Sequence, residues 1–526
     1  MSKPFLLDFL PGVQRDGTQF DATRYLDALW CRWRLGRPRK MGGFKEITDI
    51  LFGLPRRIHC FYQNGLVYIH IGTTSGIQQV VIDSFGNLVS FADRTPTTFI
   101  GGSTIGFTMD AIFDTTSSVV QIVIHSVPDT SDPSSSTKTT PFIGQIDAPG
   151  ILLPFSDPSA PMPGIWTIPT IAGGIVCVQP FVFAFDIFGL VQWSAPNLPL
   201  YLGVVGGSTG AGQARISAQK VVAGAPIRGG GTQSPAAIFW TISEVVTAVY
   251  VGTPAWFAFT TVSDSSSILG TDVIIEYDGL YFWAGLGRFL VYNGTVTEVP
   301  NTQNLDWFFD NLTPGFEAKT YAFKVPRYGE IWWCAPMFGN EEPSHAIIFN
   351  VRENTWYDTV LPNGGRSAAY FAQGIKYSIM AGSVILPNRN GYSLWLHDFG
   401  VDQVDMSGTL EPIRSYFETG FFGGPKNAPP DDHGLSIHQL EPDFIQTGDL
   451  ITYLIGAPNA RAPTTNGDPT KIVSQPAVPQ EQFTSFTPRQ NLRLVKLHVE
   501  SNVIGGNYIS GRNIGHGEAG DARVTS

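Results

Sequence analysis

The stretch from Asp272 to Pro300 reads DVIIEYDGLYFWAGLGRFLVYNGTVTEVP. Four short apolar segments, DVIIEY, LYFWA, RFLVY and TVTEV, are separated by Asp278-Gly279, Gly285-Leu286-Gly287 and Asn293-Gly294. A glycine that follows Asp or Asn supplies the positive φ that a two-residue hairpin loop demands. The stretch therefore predicts a four-stranded antiparallel meander.

The same pattern recurs along the chain. TYAFKV, EIWWCAP, HAIIFNV and TWYDTV follow directly, and similar sets of four lie near Arg56 to Asp93 and downstream from SAAYFAQ. Tyr292-Asn293, Phe349-Asn350 and Trp395-Leu396 recur at a period of about fifty residues, which is typical of propeller blades. We predict an all-β fold, a β-propeller of four-stranded antiparallel blades. A stack of β-sandwiches would give the same strands and stays an alternative.

Breaks in this pattern suggest the domain organisation. We predict an N-terminal basic arm with a first strand at 1–50, the propeller at 51–420, and a C-terminal β unit at 421–526, which begins with the linker-like FGGPKNAPPDDHG. Within the propeller, Ser/Thr-rich and Gly-rich composition predicts inserted loops near 95–165 and 203–262.

One helix is predicted, near Gln303 to Leu312. Asn304 is expected to cap it, and Leu305, Phe308 and Phe309 would share one face. In the strand EIWWCAP, alternation is expected to send Trp332 and Trp333 to opposite faces.

The composition excludes some classes of function. The 526 residues carry a net charge of −11, which argues against an overall basic surface for nucleic acid. The four cysteines are far apart and predict free buried thiols in a reducing compartment. No signal peptide opens the sequence, so we expect synthesis in the cytoplasm. Gly174 to Trp193 is the best membrane-span candidate, but Pro180, Asp186 and Gln192 interrupt it, and paired strands are favoured.

Candidate chemical groups are few. One set of acidic and histidine residues could ligate a divalent ion, namely Asp431, Asp432, His433 and His438. A solvated linker explains this set better, because its spacing matches no closed metal site. Four carboxylates could supply the acid and base of glycoside hydrolysis, namely Glu276, Asp278, Glu330 and Asp358, yet strand ends and turns explain them equally well. We predict no enzymatic activity, no cofactor and no metal.

A basic run with no acid inside it lies near the N-terminus. Its members, beside Trp30 and Trp33, are Arg32, Arg34, Arg37, Arg39 and Lys40. Guanidinium groups and indoles could bind nucleic acid. Docking on an acidic neighbouring subunit or adaptor is favoured, because the rest of the chain is acidic.

Several segments resemble the tail nozzle, or tail hub, proteins of short-tailed bacteriophages. Near the N-terminus the similarity lies in FLPGVQRDGTQFDATRYLDALWCRWRLGRPRKMGGFKEI, and in the middle in DVIIEYDGLYFWAGLGRFLVYNG and NTQNLDWFFDNL. Near the C-terminus it lies in EPDFIQTGD, NARAP, the dipeptide EQ that begins at Glu481, and ESNVIGGNYISGRNIGHGEAGDAR. Thr95 to Thr260 shows no such similarity.

This resemblance implies a virion protein. In that family, related to the packaged-DNA stabilisation proteins, a β-propeller subunit forms a six-fold tube below the portal and adaptor rings. It implies a homohexamer that conducts and retains double-stranded DNA and anchors tail fibre or needle proteins. The expected location is the virion tail, after synthesis in the host cytoplasm. An acidic wall would suit such a tube, because like charge repels phosphate.

Two other functions remain open. One is a receptor-binding or polysaccharide-degrading tail component, and the other is a cellular β-propeller scaffold. For the tail reading, we expect a chain that lacks Met1 to Gly43 to fold but to fail in assembly.

Overall fold

The computed structural model describes residues 3–18, 22–99, 104–115, 118–128, 141–155, 174–202, 210–227, 235–422, 435–457, 464–472, 490–492 and 494–519. Across these ranges the chain is built almost entirely of strands. One α-helix, α1 (Leu305–Asp310), and one 3-10 turn (Glu317–Lys319) occur in them. The all-β prediction is confirmed.

Six short strands precede the propeller. They are β1 (Lys3–Leu7), β2 (Leu10–Val13), β3 (Arg24–Tyr25), β4 (Asp27–Leu29), β5 (Cys31–Arg34) and β6 (Arg37–Lys40). The next strand, β7 (Phe44–Leu51), already belongs to the propeller.

Seven sheets of the described residues form the propeller blades, and each is built around four antiparallel strands. Blade 1 contains β8 (Pro55–Gln63), β9 (Leu66–Thr73), β10 (Gly76–Ile82) and β11 (Leu88–Asp93). Blade 2 contains β12 (Thr104–Asp114), β13 (Val119–Pro128), β14 (Phe142–Gln145) and β15 (Leu153–Pro154). Blade 3 contains β16 (Gly174–Val178), β17 (Phe181–Phe185), β18 (Leu190–Ala195), β19 (Leu198–Leu202) and β20 (Gly212–Arg215).

The remaining blades follow in chain order. Blade 4 contains β21 (Val221–Pro226), β22 (Ala236–Thr241), β23 (Val245–Gly252) and β24 (Trp256–Ser263). Blade 5 contains β25 (Ile274–Tyr277), β26 (Leu280–Ala284), β27 (Phe289–Tyr292) and β28 (Val296–Glu298). Blade 6 contains β29 (Tyr321–Val325), β30 (Glu330–Ala335), β31 (His345–Asn350) and β32 (Thr355–Val360). Blade 7 contains β33 (Arg366–Ala372), β34 (Tyr377–Gly382), β35 (Tyr392–His397) and β7, extended by β36 (Gln403–Val404) and β37 (Leu410–Glu411).

Strand β7 closes the ring. It pairs antiparallel with β35, with Leu51 opposite Tyr392 and Phe44 opposite His397. The first strand of each blade packs beside the first strand of a neighbouring blade around the centre. Blade 7 is therefore made from both ends of the propeller segment, and the propeller prediction is confirmed.

The turn chemistry explains the meander that decides the fold. Strand β25 ends at Tyr277 and β26 begins at Leu280, so Asp278 and Gly279 form a two-residue loop, with φ of 50° and 83°. The loop at Asn293-Gly294 contains a third residue, Thr295, whose carbonyl accepts the Asn293 amide. Local chemistry thus identifies both hairpins, although the second loop is one residue longer than predicted.

The two spans predicted as inserted loops contain blades. Strands β12–β15 lie within 95–165 and form blade 2, and β20–β24 lie within 203–262 or end beside it. The loop prediction is wrong for these residues, because their backbone amides pair along sheets despite the Ser- and Gly-rich composition. The tract DTSDPSSSTKTT itself lies outside the described residues.

The candidate membrane span is also explained by pairing. Residues from Gly174 to Trp193 form β16, β17 and most of β18, which are neighbours in blade 3. None of the helices in the described ranges has the length and apolar character to cross a bilayer.

A second β unit lies beside the propeller. Its later strands are β38 (Ser415–Glu418), β39 (Leu435–Glu441), β40 (Phe444–Thr447), β41 (Leu450–Ala457), β42 (Thr465–Asn466), β43 (Thr470–Ile472), β44 (Gln490–Leu492), β45 (Leu494–Ser501), β46 (Asn507–Ser510) and β47 (Asn513–Ala519). They form three sheets, in the orders β1-β47-β39-β44, β4-β38-β45-β41-β42 with β43 beside β41, and β40-β46-β6-β5.

Both ends of the chain build this second unit. Lys3 pairs with Gly517, Ala28 with Phe417, and Arg39 with Ile509. The residues predicted as an arm at 1–50 thus share sheets with those predicted as a separate unit at 421–526. Strand pairing between positions this far apart has no local signature in the sequence.

The unit and the propeller share one apolar core. Trp30 and Trp33, which are 4% and 1% exposed, pack in one cluster with Trp332 and Tyr357 of blade 6 and with Phe417. A chain that lacks Met1 to Gly43 would lose six strands and this part of the core. We therefore expect that such a chain folds poorly, and its folding stays a prediction.

Candidate functional site

Arg32, predicted to dock on a neighbouring subunit, is 1% exposed and held inside this chain. Its Nη1 and Nη2 donate to the two carboxylate oxygens of Asp398 at 2.9 and 3.2 Å. Its Nε lies 2.9 Å from Oε1 of Glu330, which also accepts the Tyr357 hydroxyl at 2.7 Å. Arg32 therefore ties β5 of the second unit to blades 6 and 7.

This cluster is held by mutual compensation of buried charges. Burial raises the pKa of the Glu330 carboxyl, and the positive charge of Arg32 opposes that shift. The other oxygen of Glu330 accepts the Trp332 indole N–H at 2.9 Å. Buried charges persist when they are paired, as they are here. Both oxygens of Glu330 accept hydrogen bonds, whereas Arg32 Nε contributes an ion pair without hydrogen-bond geometry.

The other residues of the basic run divide into two groups. Lys40 is 2% exposed, its Nζ donates to the Gly506 carbonyl at 2.8 Å, and burial lowers its pKa to about 8. Arg37 lies 3.8 Å from Asp8. Docking on another chain is wrong for Arg32 and Lys40, because neither side chain reaches the surface. It stays a prediction for Arg34, Arg37 and Arg39.

Arg34 and Arg39 both approach Tyr328, which no sequence motif indicates as a site residue. The Tyr328 ring centroid lies 5.9 Å from the Arg34 guanidinium, 5.8 Å from that of Arg39 and 5.2 Å from that of Arg327. Arg32 lies 3.7 Å from the same ring. The sequence gives little indication of a role for Tyr328, since Arg327-Tyr328 looks like an ordinary turn between strands.

The RDGT segment of the N-terminus organises a second contact. The Asp16 carboxylate accepts the backbone amides of Asp306 at 3.0 Å and Trp307 at 2.8 Å, at the start of α1. Arg15 donates to Asp358 of blade 6 at 2.8 and 3.1 Å and to Asp27 at 2.6 Å. One Arg-Asp pair therefore joins α1, blade 6 and the second unit.

The backbone at this contact requires a glycine. Gly12 has φ +97°, and a Cβ there would lie 2.3 Å from Gln303 Oε1 and 2.4 Å from the Trp356 carbonyl oxygen. The helix runs from Leu305 to Asp310, shorter than predicted, and Asn304 makes no side-chain capping bond. The prediction that Asn304 caps α1 is wrong, because Asp16 takes that role from 290 residues away.

The first strands of all seven blades line a central channel that encloses about 260 Å³. The Arg57 guanidinium of blade 1 lies 2.6 Å from the carboxylate of Asp272, at the entry to blade 5. Blades 1 and 5 are not neighbours, so this ion pair crosses the channel. Burial raises the pKa of Asp272, and Arg57 opposes the shift.

Further charges occupy the channel and its mouth. Lys324 of blade 6 lies 2.7 Å from Glu276 of blade 5. At the end where the first strands begin, a cavity of about 290 Å³ adjoins the channel. Arg56 and Lys319, beside this cavity, share the Glu342 carboxylate at 2.5 and 2.6 Å. These pairs satisfy one another within the chain.

The carboxylates considered for glycoside hydrolysis do not form one group. Glu276, Glu330 and Asp358 each pair with a different cation, namely Lys324, Arg32 and Arg15. The fourth, Asp278, lies exposed in the hairpin loop between β25 and β26.

The metal candidates are only partly described. Asp431, Asp432 and His433 lie outside the described residues, and His438 lies on β39. Over the part of the chain that is described, no three His, Cys, Asp or Glu side chains come together as a metal site.

The aromatic pair and the cysteines belong to the core. Trp332 packs in the cluster shared with the second unit, whereas Trp333 packs in a different cluster between blades 5 and 6, as alternation predicted. All four cysteines are unbridged. Burial raises the pKa of Cys31 and Cys334 to about 12, so both remain protonated thiols at neutral pH.

Comparisons with known proteins bear on the fold. No protein-family model matches the chain, and no curated protein matches it. Among solved structures, it is similar to BBS1N from a complex with ARL6DN, at 8% identity and a TM-score of 0.40, over 68% of this chain and 96% of that one. A chain of the mitotic checkpoint complex is similar at 8% identity and a TM-score of 0.38, with the same coverage. Both are β-propeller proteins, and at this identity the likeness concerns the fold alone.

Proposed function

We propose that this chain is a structural, non-enzymatic subunit of a larger protein assembly, and more specifically of the tail nozzle of a short-tailed phage. The finer proposal rests on the segments that resemble that family. It places the protein in the virion tail, below the portal and adaptor rings, in contact with fibre or needle proteins.

One observation carries the proposal: the segments that bear the resemblance contact one another. Asp16 of the RDGT segment caps the helix of NTQNLDWFFDNL. The hairpin that contains GRPRK pairs through Arg39 with Ile509 of the segment NYISGR. Similarity at scattered positions is thus similarity in one composite structure, the second unit and its attachment to blades 5 and 6.

The channel limits how such a subunit could conduct DNA. An ion pair crosses it, and about 260 Å³ is below the volume of most small-molecule sites. A duplex would therefore pass between copies of the chain and not through a propeller. The net charge of −11 suits that wall, because like charge keeps phosphate from binding.

A cellular β-propeller scaffold is the second candidate. It is compatible with the propeller fold of the described residues. The polysaccharide-degrading alternative lacks comparable support, since its candidate carboxylates are engaged by separate cations or lie apart from them.

Reconstitution tests the proposal. The purified chain is mixed with the portal and adaptor proteins encoded beside it, and the mixture is studied by light scattering and negative-stain imaging. A tube that docks coaxially under the adaptor is the expected result. The matched controls are the chain with each partner singly. A chain that stays monomeric and ignores both partners would contradict the tail proposal and favour the scaffold.

A further inference from the structure

The guanidinium groups around Tyr328 form a positive cluster, which we call the arginine cluster and define as Arg34, Arg39 and Arg327. Arg32 lies against the same ring but is neutralised by Glu330 and Asp398. Within the described ranges, no carboxylate lies within ion-pair distance of Arg34, Arg39 or Arg327. The Nε of Arg39 is buried without a hydrogen-bond partner.

The environment of the cluster opposes its charge. Burial lowers the pKa of Arg39, and the positive charges of Arg32, Arg34 and Arg327 lower it further. Arg352 adds another guanidinium, which donates to the carbonyls of Pro326 and Arg327. The Glu353 carboxylate at the hairpin tip accepts the backbone amides of Leu35 and Gly36 at 2.6 and 3.2 Å, and it makes no ion pair with the cluster among the described residues. An anionic partner that paired with the guanidinium groups would therefore relieve their repulsion.

The surroundings of the cluster favour a protein as that partner. Leu35, at the tip of the β5–β6 hairpin, is 84% exposed beside Arg34. Arg and Tyr are enriched at the centres of protein interfaces, and an exposed apolar side chain gains more from a protein pocket than from a phosphate backbone.

A second copy of the chain offers a complementary surface at the other end of blade 6. Strands alternate in direction, so the β29–β30 and β31–β32 turns that hold Arg327 and Arg352 lie at one end. The β30–β31 loop, with Glu341, lies at the opposite end, where Phe338 donates its amide to Asn311 just after α1.

This opposite end carries unpaired acids, which we call the acidic end: Asp306, Asp310 and Glu341. All three are exposed, and no cation lies within ion-pair distance of their carboxylates in the described ranges. The nearby Lys319 donates to the Glu341 carbonyl at 2.9 Å, and its charge is paired with Glu342. Phe338, beside them and packed on Trp307, is 52% exposed. The guanidinium groups around Tyr328, together with Arg352, and the three acids thus lie towards opposite ends of blade 6.

We propose that the arginine cluster of one copy docks on the acidic end of blade 6 of a second copy. The contact joins two different surfaces, so it is heterologous and extends to a ring or a filament. It rests on the proposed function in an assembly and names the surfaces that would make the self-contact.

Reciprocal charge reversal tests this contact. One variant carries Arg34→Glu and Arg327→Glu, and a second carries Asp310→Lys and Glu341→Lys. Each is studied alone and in a one-to-one mixture by sedimentation velocity and mass photometry. We expect each variant alone to self-associate at least about tenfold more weakly than the wild type, since like charges then meet. The mixture should restore association, because its two chains again present opposite charges.

Matched controls reverse exposed charges elsewhere. Arg215→Glu on β20 and Asp264→Lys after β24 should leave self-association unchanged. Circular dichroism melting checks that all variants are folded.

Three results would overturn the inference: a wild type that is monomeric at all concentrations, variants that associate like the wild type, or a mixture that fails to restore association. The inference would also be overturned if the Arg34→Glu, Arg327→Glu variant lost binding to a 30-base-pair duplex while its self-association stayed unchanged, since the cluster would then bind DNA. Tube formation with portal and adaptor by the reversed variants would refute this contact and leave the proposed function standing.

Discussion

Arg32 illustrates how a residue in a basic run can serve the interior. Its guanidinium fork faces two carboxylates from different blades, and its face lies on Tyr328. A planar group with five donors can satisfy both carboxylates at once, which a lysine ammonium cannot do in the same geometry. Arg34 lies two residues further along β5, on the same face as Arg32 but next to the exposed tip of the hairpin, and there it reaches the surface while Arg32 does not. Sequence proximity alone could not separate these roles.

Arg32→Ala should destabilise the protein strongly. The substitution leaves the buried Glu330 and the partly buried Asp398 without their cation, and breaking a buried pair costs about 3–5 kcal/mol. Arg32→Lys should fall between Ala and wild type, because it keeps the charge and loses the fork. Denaturant midpoints measure the change. Arg414→Ala is the control, since Arg414 is 52% exposed in its pair with Glu500 and should cost below about 1 kcal/mol. Equal effects of the two Ala variants would show that burial does not decide the energy.

At the scale of elements, α1 depends on a partner distant in sequence. Asp16 accepts the second and third amides of the helix, those of Asp306 and Trp307, and its negative charge suits the helix N-terminus. A helix of six residues is too short to persist without tertiary contacts. The cap therefore links the order of α1 to the position of the N-terminal segment.

Asp16→Ala should loosen α1. The loss of a capping side chain costs about 1–2 kcal/mol, and Asp16→Asn should cost less because its amide oxygen still accepts. Hydrogen exchange at the amides of Asp306 and Trp307 is the direct readout, and it should accelerate in the Ala variant. Asp310→Ala, at the other end of the helix, is the control and should change stability by less than about 0.5 kcal/mol. Unchanged exchange in Asp16→Ala would mean that packing alone holds the helix.

The sequence predicts the features that depend on local patterns and misses those that depend on contacts between distant residues. The Asp278-Gly279 hairpin, the strands of blades 5, 6 and 7 and the opposite faces of Trp332 and Trp333 follow from local chemistry and alternation. The composition of blades 2 and 4 predicts loops, because Ser and Gly are poor strand signals although their backbones pair as well as any. The Arg57–Asp272 pair and the Asp16 cap join distant residues, and no local pattern encodes them.

At the scale of the whole molecule, both chain ends are built into one structure. Strand β7 fills a place in blade 7, and β1, β4 and β6 fill places in the second unit. The propeller ring cannot close until β35 meets β7, which lies more than 300 residues earlier in the chain. The second unit is likewise incomplete without its last strand, β47. The first forty residues thus hold the second unit against the propeller.

A circular permutant separates this role from that of chain order. Deleting residues 1–43 removes six strands and empties the places of Trp30 and Trp33, and each buried Trp contributes about 3–5 kcal/mol, so we expect an insoluble or molten chain. A permutant that begins at Phe44 and carries residues 1–43 after Ser526, joined by a flexible Gly/Ser linker, keeps every strand, and Lys3 already pairs with Gly517. Size-exclusion chromatography and thermal melting should show the permutant close to the wild type. If the deleted chain instead melted like the wild type, the N-terminal residues would be peripheral to the core. They would then be better described as an arm that contacts a neighbouring chain than as a segment that joins the two units of one chain.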